Sequence, residues 1–228
     1  MTSKKKEFKE WDNFHKNKYN KIYPQWPNEI LLKLIFGNYL KNKINIKSNY
    51  KILDVGCGFG NNLLPFNNIT KHLYGTEVSS KICKIAENFL RLKDIEATIK
   101  FGTNQKIPFK NNFFDILLSI NVLHYEKNEV DILKSLKEYK RVLKKNGTLI
   151  IFTVGPNHLI YKNAKLIGNH KYLIRNWDFR NESQYFYFDN ENYLRFYCEN
   201  YFNNIETGTV TEKLMEKELD FLILKANK

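Results

Sequence analysis

The residues with the clearest chemical meaning are three closely spaced glycines, Gly56, Gly58 and Gly60, which directly follow the apolar run 52–55. An apolar run that stops at clustered glycines predicts a buried strand ending in a tight turn. Such a turn leaves backbone N–H groups uncovered and lets a ligand approach the main chain, and the helix that follows directs its positive end at an anion. A nucleotide-type cofactor is therefore the first hypothesis.

The spacing of the glycines separates the possible cofactors. The dinucleotide fingerprint requires a third small residue where this chain has Asn61, and Gly60 comes one position too early. A nicotinamide cofactor is thus disfavoured. The run 73–77 predicts a second strand that ends in Glu77, roughly twenty residues after the turn, where an acid that binds ribose is expected. Its carboxylate can accept hydrogen bonds from both ribose hydroxyls.

These residues carry a resemblance to a known family. The sequence 53–60, Leu-Asp-Val-Gly-Cys-Gly-Phe-Gly, resembles motif I of class I S-adenosylmethionine-dependent methyltransferases, and Glu77 resembles the acid that ends their second strand. Residues 102–109, 112–115 and 143–151 resemble later landmarks of that family in the same order. The resemblance implies an α/β fold with a doubly wound, seven-stranded, mostly parallel sheet and a C-terminal antiparallel hairpin. It also implies S-adenosyl-L-methionine as cofactor and S-adenosyl-L-homocysteine as product.

The resemblance implies cofactor contacts from the glycine turn, from three strand ends and from the N-terminal segment. The predicted cofactor-binding residues are Asp54, Gly56, Cys57, Gly58, Gly60, Asn61, Glu77, Val78, Thr103, Asn104, Gln105, Asn121, Tyr23 and Trp26. In the family, an acid in the loop after the third strand usually accepts from the adenine amino group, but this chain has Thr103 and Asn104 there. Asn104 is our candidate for that contact because its side-chain oxygen can accept. A turn asparagine without a ligand is the alternative.

Alternating strand and helix patterns predict the elements that position these residues. One domain is expected, divided into an N-terminal helical cap (1–45), a cofactor-binding core (50–154), a substrate cap inserted after the fifth strand (155–189) and a closing helix and hairpin (190–228). Helices are expected near 8–19, 28–41, 61–68, 80–90, 129–143 and 190–200, and strands near 51–55, 73–77, 95–101, 113–120, 148–154, 201–206 and 219–224.

Aromatic and basic residues mark the predicted substrate side. In the family, N-terminal helices often fold over cofactor and substrate, which suggests Tyr19 there beside Tyr23 and Trp26; simple packing of these rings onto the sheet is the alternative. Segment 155–189 mixes basic and aromatic residues without a clear period, so we interpret it as the substrate cap, with a self-packed surface excursion as the alternative. Arg175 and Arg180 are candidates to hold a phosphate or carboxylate, and Tyr125 to contact the substrate.

A sulfonium methyl is already electrophilic, so orienting the acceptor matters more than a base. Orientation supplies up to about 7–11 kcal/mol, against about 3–5 kcal/mol for general-base catalysis. If a base is used, His124 is the first candidate, since it follows the predicted central strand 113–120. His158 and His170 in the cap segment are the alternatives.

Composition limits the kinds of protein and partner that fit this chain. The 228 residues are 43% hydrophobic, enough for a full core, and the net charge of +13 fits either a solvated basic surface or attraction of an anionic substrate or nucleic acid. No apolar run reaches the length of a membrane span, and three cysteines without ligand spacing predict a reducing cytoplasm and no metal.

Comparison with the resembling family narrows the range of possible methyl acceptors. Asn121 is followed by Val-Leu-His, not by the Pro-Pro-aromatic run of nucleobase amino methyltransferases, and neither a cysteine nucleophile nor grouped carboxylates occur there. A small, anionic metabolite is favoured, with O-methylation of a sugar, nucleotide sugar or phosphorylated compound, as in bacterial surface-polysaccharide pathways. An RNA or protein methyltransferase and a catalytically silent binding protein remain alternatives, and the chain is expected to be a monomer or homodimer.

Overall fold

The computed structural model describes residue 9, residues 12–13, residues 26–176 and residues 180–228. The helix predicted near 8–19 lies largely outside the described residues, as do Tyr19 and Tyr23. The elements discussed below all belong to 26–228.

The described chain alternates strands and helices from residue 52 to residue 142 and ends in a long hairpin. The α-helices are α1 (Glu29–Phe36), α2 (Ser80–Arg91), α3 (Glu129–Val142) and α4 (Glu191–Glu199). The strands are β1 (Ile52–Val55), β2 (Leu73–Glu77), β3 (Ala97–Phe101), β4 (Phe114–Ile120), β5 (Leu143–Val154), β6 (Lys165–Gly168), β7 (Lys171–Leu173), β8 (Gln184–Phe186), β9 (Asn203–Leu214) and β10 (Lys217–Asn227). Short 3₁₀ segments span Asn61–Phe66, Leu123–Tyr125 and Leu159–Tyr161.

Seven strands form one sheet in the order β3-β2-β1-β4-β5-β10-β9. The pairs among β1 to β5 are parallel, whereas β10 runs antiparallel to both β5 and β9. The order reverses between β1 and β4, and ligands of doubly wound sheets bind in the crevice at such a reversal. The predicted fold, mostly parallel with a C-terminal antiparallel hairpin, is confirmed.

Each face of the sheet is covered by helices, which explains why the central strands are apolar throughout. In β4, Leu117 packs into the core beneath α3 and α4, while Ile116 and Leu118 pack into the opposite core beneath α1 and α2. Both cores are built from fully buried aliphatic side chains, each worth about 1.5–3 kcal/mol on burial. The two cores fix β1 and β4 side by side.

Side chains cap the starts of α1 and α2. Asn28 caps α1 by accepting from the Leu31 N–H, and Ser79 caps α2 by accepting from the Lys81 and Ile82 N–H groups. Helix α1 is shorter than predicted because Gly37 ends it, with its N–H bonded to the Lys33 carbonyl.

The closing hairpin is longer than the predicted pair 201–206 and 219–224. Strand β9 pairs with β10 along nearly its whole length, from Asn203↔Asn227 to Leu214↔Lys217. Much of β9 is polar and partly exposed because it forms the edge of the sheet, so its sequence lacks the apolar pattern of a buried strand. Strand β5 also starts earlier than predicted, at Leu143.

Segment 155–189 has regular structure that its sequence did not reveal. It contains the 3₁₀ segment Leu159–Tyr161 and a three-stranded antiparallel sheet, β6-β7-β8. Asp220 of β10 fastens its start: the Asp220 backbone carbonyl accepts from the Gly155 N–H, and its carboxylate accepts from the Asn157 N–H at 2.8 Å and from the Thr211 hydroxyl at 3.1 Å. These hydrogen bonds fix the start of the segment against the end of the sheet.

We expect Asp220→Ala to destabilise the protein by about 1–3 kcal/mol, because it removes a charged acceptor that bonds both the Asn157 N–H and the Thr211 hydroxyl. Urea unfolding followed by circular dichroism measures the loss. Glu216→Ala, in the exposed hairpin turn, is the matched control and should change little. Equal stability of both variants would contradict this role for Asp220.

Candidate functional site

A cleft opens at the carboxyl ends of β1, β2, β3 and β4, at the reversal of strand order. Loops after all four strands contribute to its walls. The lining residues are Val55, Gly56, Gly58, Thr76, Glu77, Val78, Gly102, Thr103, Asn104, Gln105, Ile120, Asn121, Val122, Tyr125, Glu126, Lys127 and Asp131. Eight of the predicted cofactor-binding residues are therefore brought together: Gly56, Gly58, Glu77, Val78, Thr103, Asn104, Gln105 and Asn121.

The glycine turn after β1 forms the floor of the cleft. Gly56, Gly58 and Gly60 all have positive φ, at 66°, 56° and 84°. A Cβ on Gly56 would lie 2.4 Å from Cγ1 of Val122, so the turn and the loop after β4 approach more closely than a side chain allows. Gly56 and Gly58, which have no side chains, therefore present their main chain to the cleft.

Three predicted residues of this turn do not line the cleft. The Cys57 side chain is buried and packs beneath Gly75 of β2, where a Cβ would meet its Sγ at 2.7 Å. Gly60 packs against Leu90 of α2, and Asn61 begins the 3₁₀ segment with its Oδ1 buried and without a hydrogen-bonding partner. None of the three lines the cleft, and their contacts with a cofactor stay predictions.

Glu77 ends β2 with its carboxylate held by the main chain. Its Oε1 accepts from the Gly58 N–H at 2.8 Å and its Oε2 accepts from the Val78 N–H at 2.9 Å. The residue is only 6% exposed, yet it lines the cleft. A carboxylate has about four lone-pair positions, which is more than these two backbone donors use. This orientation suits a pair of hydroxyl donors such as those of a ribose.

Asp54 lies below the turn, fully buried on β1, and among the described residues neither of its carboxylate oxygens has a hydrogen-bonding partner. Burial and the nearby Glu77 carboxylate raise the pKa of Asp54 to about 8, partly opposed by the neighbouring Asn62 side chain. Asn121, which has a positive φ of 59° and lines the cleft, also carries an unpartnered Oδ1. Unpaired buried acceptors around a glycine turn fit a ligand that bears N–H or ammonium donors.

The side chain of Asn104, in the loop after β3, is held by hydrogen bonds within the protein. The amide nitrogen of Asn104 donates to Oε1 of Glu126 at 2.9 Å and to the Val122 carbonyl at 3.3 Å, while its Oδ1 accepts from the Tyr139 hydroxyl at 2.8 Å. Asn104 therefore braces the cleft wall, and its contact with the base of a cofactor stays a prediction. Glu126 was not among the predicted site residues, because its position beyond His124 gives no motif signal.

His124 does not emerge over the cleft as predicted. The 3₁₀ segment Leu123–Tyr125 turns its ring inward, where only 2% of the residue is exposed and Nδ1 lies 3.2 Å from the Thr153 hydroxyl. The ring packs between Tyr125 and Tyr185, at centroid distances of 4.5 and 4.6 Å. Burial, and then the positive charges of Arg180 and His158, hold its pKa well below the usual histidine range. This is a poor position for a general base.

The two alternative histidines also lie away from the cleft. His158 caps the 3₁₀ segment Leu159–Tyr161, since its Nδ1 accepts from the Ile160 N–H at 3.0 Å, and burial lowers its pKa to about 4. His170 stacks on Tyr193 of α4 at a centroid distance of 4.4 Å and lies 3.6 Å from a carboxylate oxygen of Asp189. Neither histidine is among the lining residues.

The predicted substrate residues are divided between the cleft and the surface. Tyr125 lines the cleft, and its hydroxyl accepts from the Tyr185 hydroxyl at 3.0 Å. Arg180 lies near Tyr185 and lowers the pKa of neighbouring His124 through its charge. Arg175 is exposed and does not line the cleft. Neither does Trp26, a predicted cofactor-binding residue that is 75% exposed.

Comparison with known proteins finds a similarity in the central part of the chain. Residues 53–151 match the family model described as a methyltransferase domain. The seven-stranded sheet with its antiparallel hairpin agrees with that match. The cofactor that the sequence resemblance implies is S-adenosylmethionine. Glu77, the glycines with positive φ and the unpaired acceptors fit such a molecule.

Several known proteins are similar over more of the chain than the family model matches. An uncharacterized protein of Methanocaldococcus jannaschii is 33% identical over 154 residues, covering 64% of this chain and 63% of the relative. A ubiquinone biosynthesis O-methyltransferase of Pelagibacter ubique is 26% identical over 155 residues, covering 60% of this chain and 62% of the relative. The crystal structure of an S-adenosylmethionine-dependent methyltransferase from Methanosarcina mazei has a TM-score of 0.69 at 20% identity, covering 89% and 98% of the two chains.

The chain spans less than two thirds of the length of these curated relatives. Within 26–176 and 180–228 and at the few described positions before them, no helix is long and apolar enough to cross a membrane.

The buried Asp54 carboxyl should make stability depend on pH. Its pKa is about 8 in the folded protein and near 3.8 in an unfolded chain, so between these values the folded state binds one more proton. Stability should therefore fall as pH rises through that range, by up to about 1.4 kcal/mol per pH unit. Urea unfolding of the ligand-free protein at several pH values measures this slope.

Asp54→Asn should flatten this dependence because the amide does not titrate. Asp94→Asn is the matched control: its side chain is exposed, and its positive φ of 56° suits asparagine equally well. The interpretation fails if Asp54→Asn keeps the wild-type slope.

Proposed function

We propose that the protein transfers the methyl group of S-adenosylmethionine to a small, anionic metabolite. The observation that carries the proposal is the backbone-anchored Glu77 carboxylate beside the glycine turn, within residues that match the methyltransferase family. In this proposal Glu77 binds the ribose hydroxyls, and the exposed main chain of Gly56 and Gly58 contacts the amino-acid part of the cofactor.

The bound cofactor would supply an electrophilic sulfonium methyl group. The chain would supply orientation and a site with restricted access to water. The described lining residues include no histidine, so the proposal contains no histidine base. Orientation, worth up to about 7–11 kcal/mol, then carries most of the barrier reduction.

For the acceptor, we propose binding between Tyr125 and the segment 155–189, with O-methylation favoured. Arg180 beside Tyr185 offers a cation for a phosphate or carboxylate, consistent with a sugar, nucleotide sugar or phosphorylated compound, including a precursor of a surface polysaccharide. The relationship to an O-methyltransferase of ubiquinone biosynthesis supports transfer to oxygen. Cys57, Cys83 and Cys198 are all free thiols, which supports a reducing cytoplasm.

A second candidate is an RNA methyltransferase, and the net charge of +13 favours it. A basic surface would attract the phosphate backbone, and binding would then weaken steeply with salt. The cleft itself is lined by Glu77, Glu126 and Asp131, which argues against a polyanion entering it deeply.

Glu77→Ala should weaken binding of S-adenosylhomocysteine by at least about tenfold, because hydrogen bonds to a charged acceptor contribute about 1.5–3 kcal/mol. Isothermal titration calorimetry measures the change, and thermal melting of the same samples separates it from unfolding. Glu96→Ala, on the exposed surface before β3, is the control and should bind as the wild type does. Unchanged affinity in Glu77→Ala would remove the ribose assignment.

The acceptor class is tested by incubating the protein with methyl-labelled S-adenosylmethionine and separate pools of nucleotide sugars, phosphorylated metabolites and RNA. We expect label in the small-molecule fraction, and we expect Arg180→Ala to raise the KM for the acceptor about tenfold without changing cofactor affinity. Label in RNA would favour the second candidate. Cofactor binding without transfer to any pool would favour a catalytically silent binding protein.

A further inference from the structure

The loop after β3 carries no carboxylate, but a neighbouring loop places one in the same part of the cleft. Residues 102–105 are Gly, Thr, Asn and Gln, whereas Glu126 follows the 3₁₀ segment after β4. Glu126 is only 9% exposed, yet it lines the cleft together with Thr103, Asn104 and Gln105. Burying a carboxylate costs free energy unless hydrogen bonds compensate it.

Glu126 is held in one orientation by the loop that lacks an acid. Asn104 donates to its Oε1 at 2.9 Å, and the Gln105 amide donates to its Oε2. Asn104 is itself fixed by the Tyr139 hydroxyl, which lies 3.0 Å from the Ser119 hydroxyl on β4. The carboxylate is therefore anchored through side chains to the centre of the sheet.

The carboxylate keeps acceptor capacity after these contacts. Two of its roughly four lone-pair positions are used by the amides of Asn104 and Gln105, and the Ser135 hydroxyl lies near enough to affect it. At least one position therefore remains for a donor in the cleft. Burial raises the pKa of Glu126, opposed by the hydrogen bonds from Asn104 and Gln105.

The geometry of the cleft indicates which part of a nucleoside comes near Glu126. The Gly102 N–H donates to the backbone carbonyl of Glu77 at 2.9 Å, so the loop 102–105 begins directly beside the proposed ribose site. A base attached to that ribose would therefore lie along this loop, against the wall that Glu126 completes.

We propose that Glu126 accepts a hydrogen bond from the exocyclic amino group of the cofactor's adenine. In this chain a carboxylate from the loop after β4 thus replaces the acid that is missing from the loop after β3. The inference rests on the proposed function only in requiring that the cleft binds this cofactor. Glu126 selects an amino group over a carbonyl oxygen at this position of the base, because a carboxylate can accept from the first and repels the second.

The test measures binding of two ligands by calorimetry: S-adenosylhomocysteine, and S-inosylhomocysteine, in which the amino group is replaced by a carbonyl oxygen. We expect the wild type to prefer the adenine compound by at least about tenfold. Glu126→Gln can donate to the carbonyl, so its preference should fall to near unity or reverse. Glu129→Gln makes the same chemical change on the exposed first turn of α3 and should retain the wild-type ratio.

A second variant distinguishes recognition from structural support. Thr103→Asp, combined with Glu126→Gln, returns a carboxylate to the loop after β3 and should restore much of the preference for adenine. If Glu126→Gln fails to fold by thermal melting, Glu126→Asp keeps the charge but withdraws it by one methylene and should reduce the ratio in the same direction.

Two results would overturn the inference. Equal binding of both compounds by the wild type, or an unchanged ratio in Glu126→Gln, would show that the amino group is not recognised by Glu126, while the proposed function would stand. Failure of the wild type to bind S-adenosylhomocysteine at all would overturn the proposed function together with this inference.

Discussion

The hydrogen bond from the Gly58 N–H to the Glu77 carboxylate is the contact on which the site depends. It joins the turn after β1 to the end of β2, and it forms only because Gly58 has a positive φ that turns its N–H toward the neighbouring strand. Close packing behind the turn, with Gly56 against Val122 and Gly75 against Cys57, leaves no room for the turn to relax. The parallel register of β1 and β2 therefore determines where the carboxylate points.

A second set of contacts gives the cleft its other wall. Side chains from β4, α3 and the loop after β3 form a continuous hydrogen-bonded chain through Ser119, Tyr139 and Asn104 to Glu126. Burial raises the cost of breaking any member of such a network, because the remaining partners are left without water. The loops after β3 and β4 are thus coupled, although β2 and β1 separate their strands in the sheet.

The sequence predicted the architecture well because its signals are local. Apolar runs marked β1, β2 and β4, and helical patterns marked α1 and α2. Side-chain direction at strand ends was harder to predict. His124 was expected over the cleft, but a single 3₁₀ turn directs it into the interior. Glu126 is held by a loop more than twenty residues away in the sequence, and no short motif encodes that contact.

The arrangement of charge has a consequence for turnover. The chain carries a net charge of +13, but three carboxylates, those of Glu77, Glu126 and Asp131, line the cleft, with Lys127 as the described cation among the lining residues. A sulfonium ligand is positively charged, whereas the thioether left after methyl transfer is not. If the cleft binds S-adenosylmethionine as proposed, its carboxylates would attract the reactant more strongly than the spent product. The same carboxylates that assist loading would then favour exchange of the two ligands, because one positive charge is lost in the transfer.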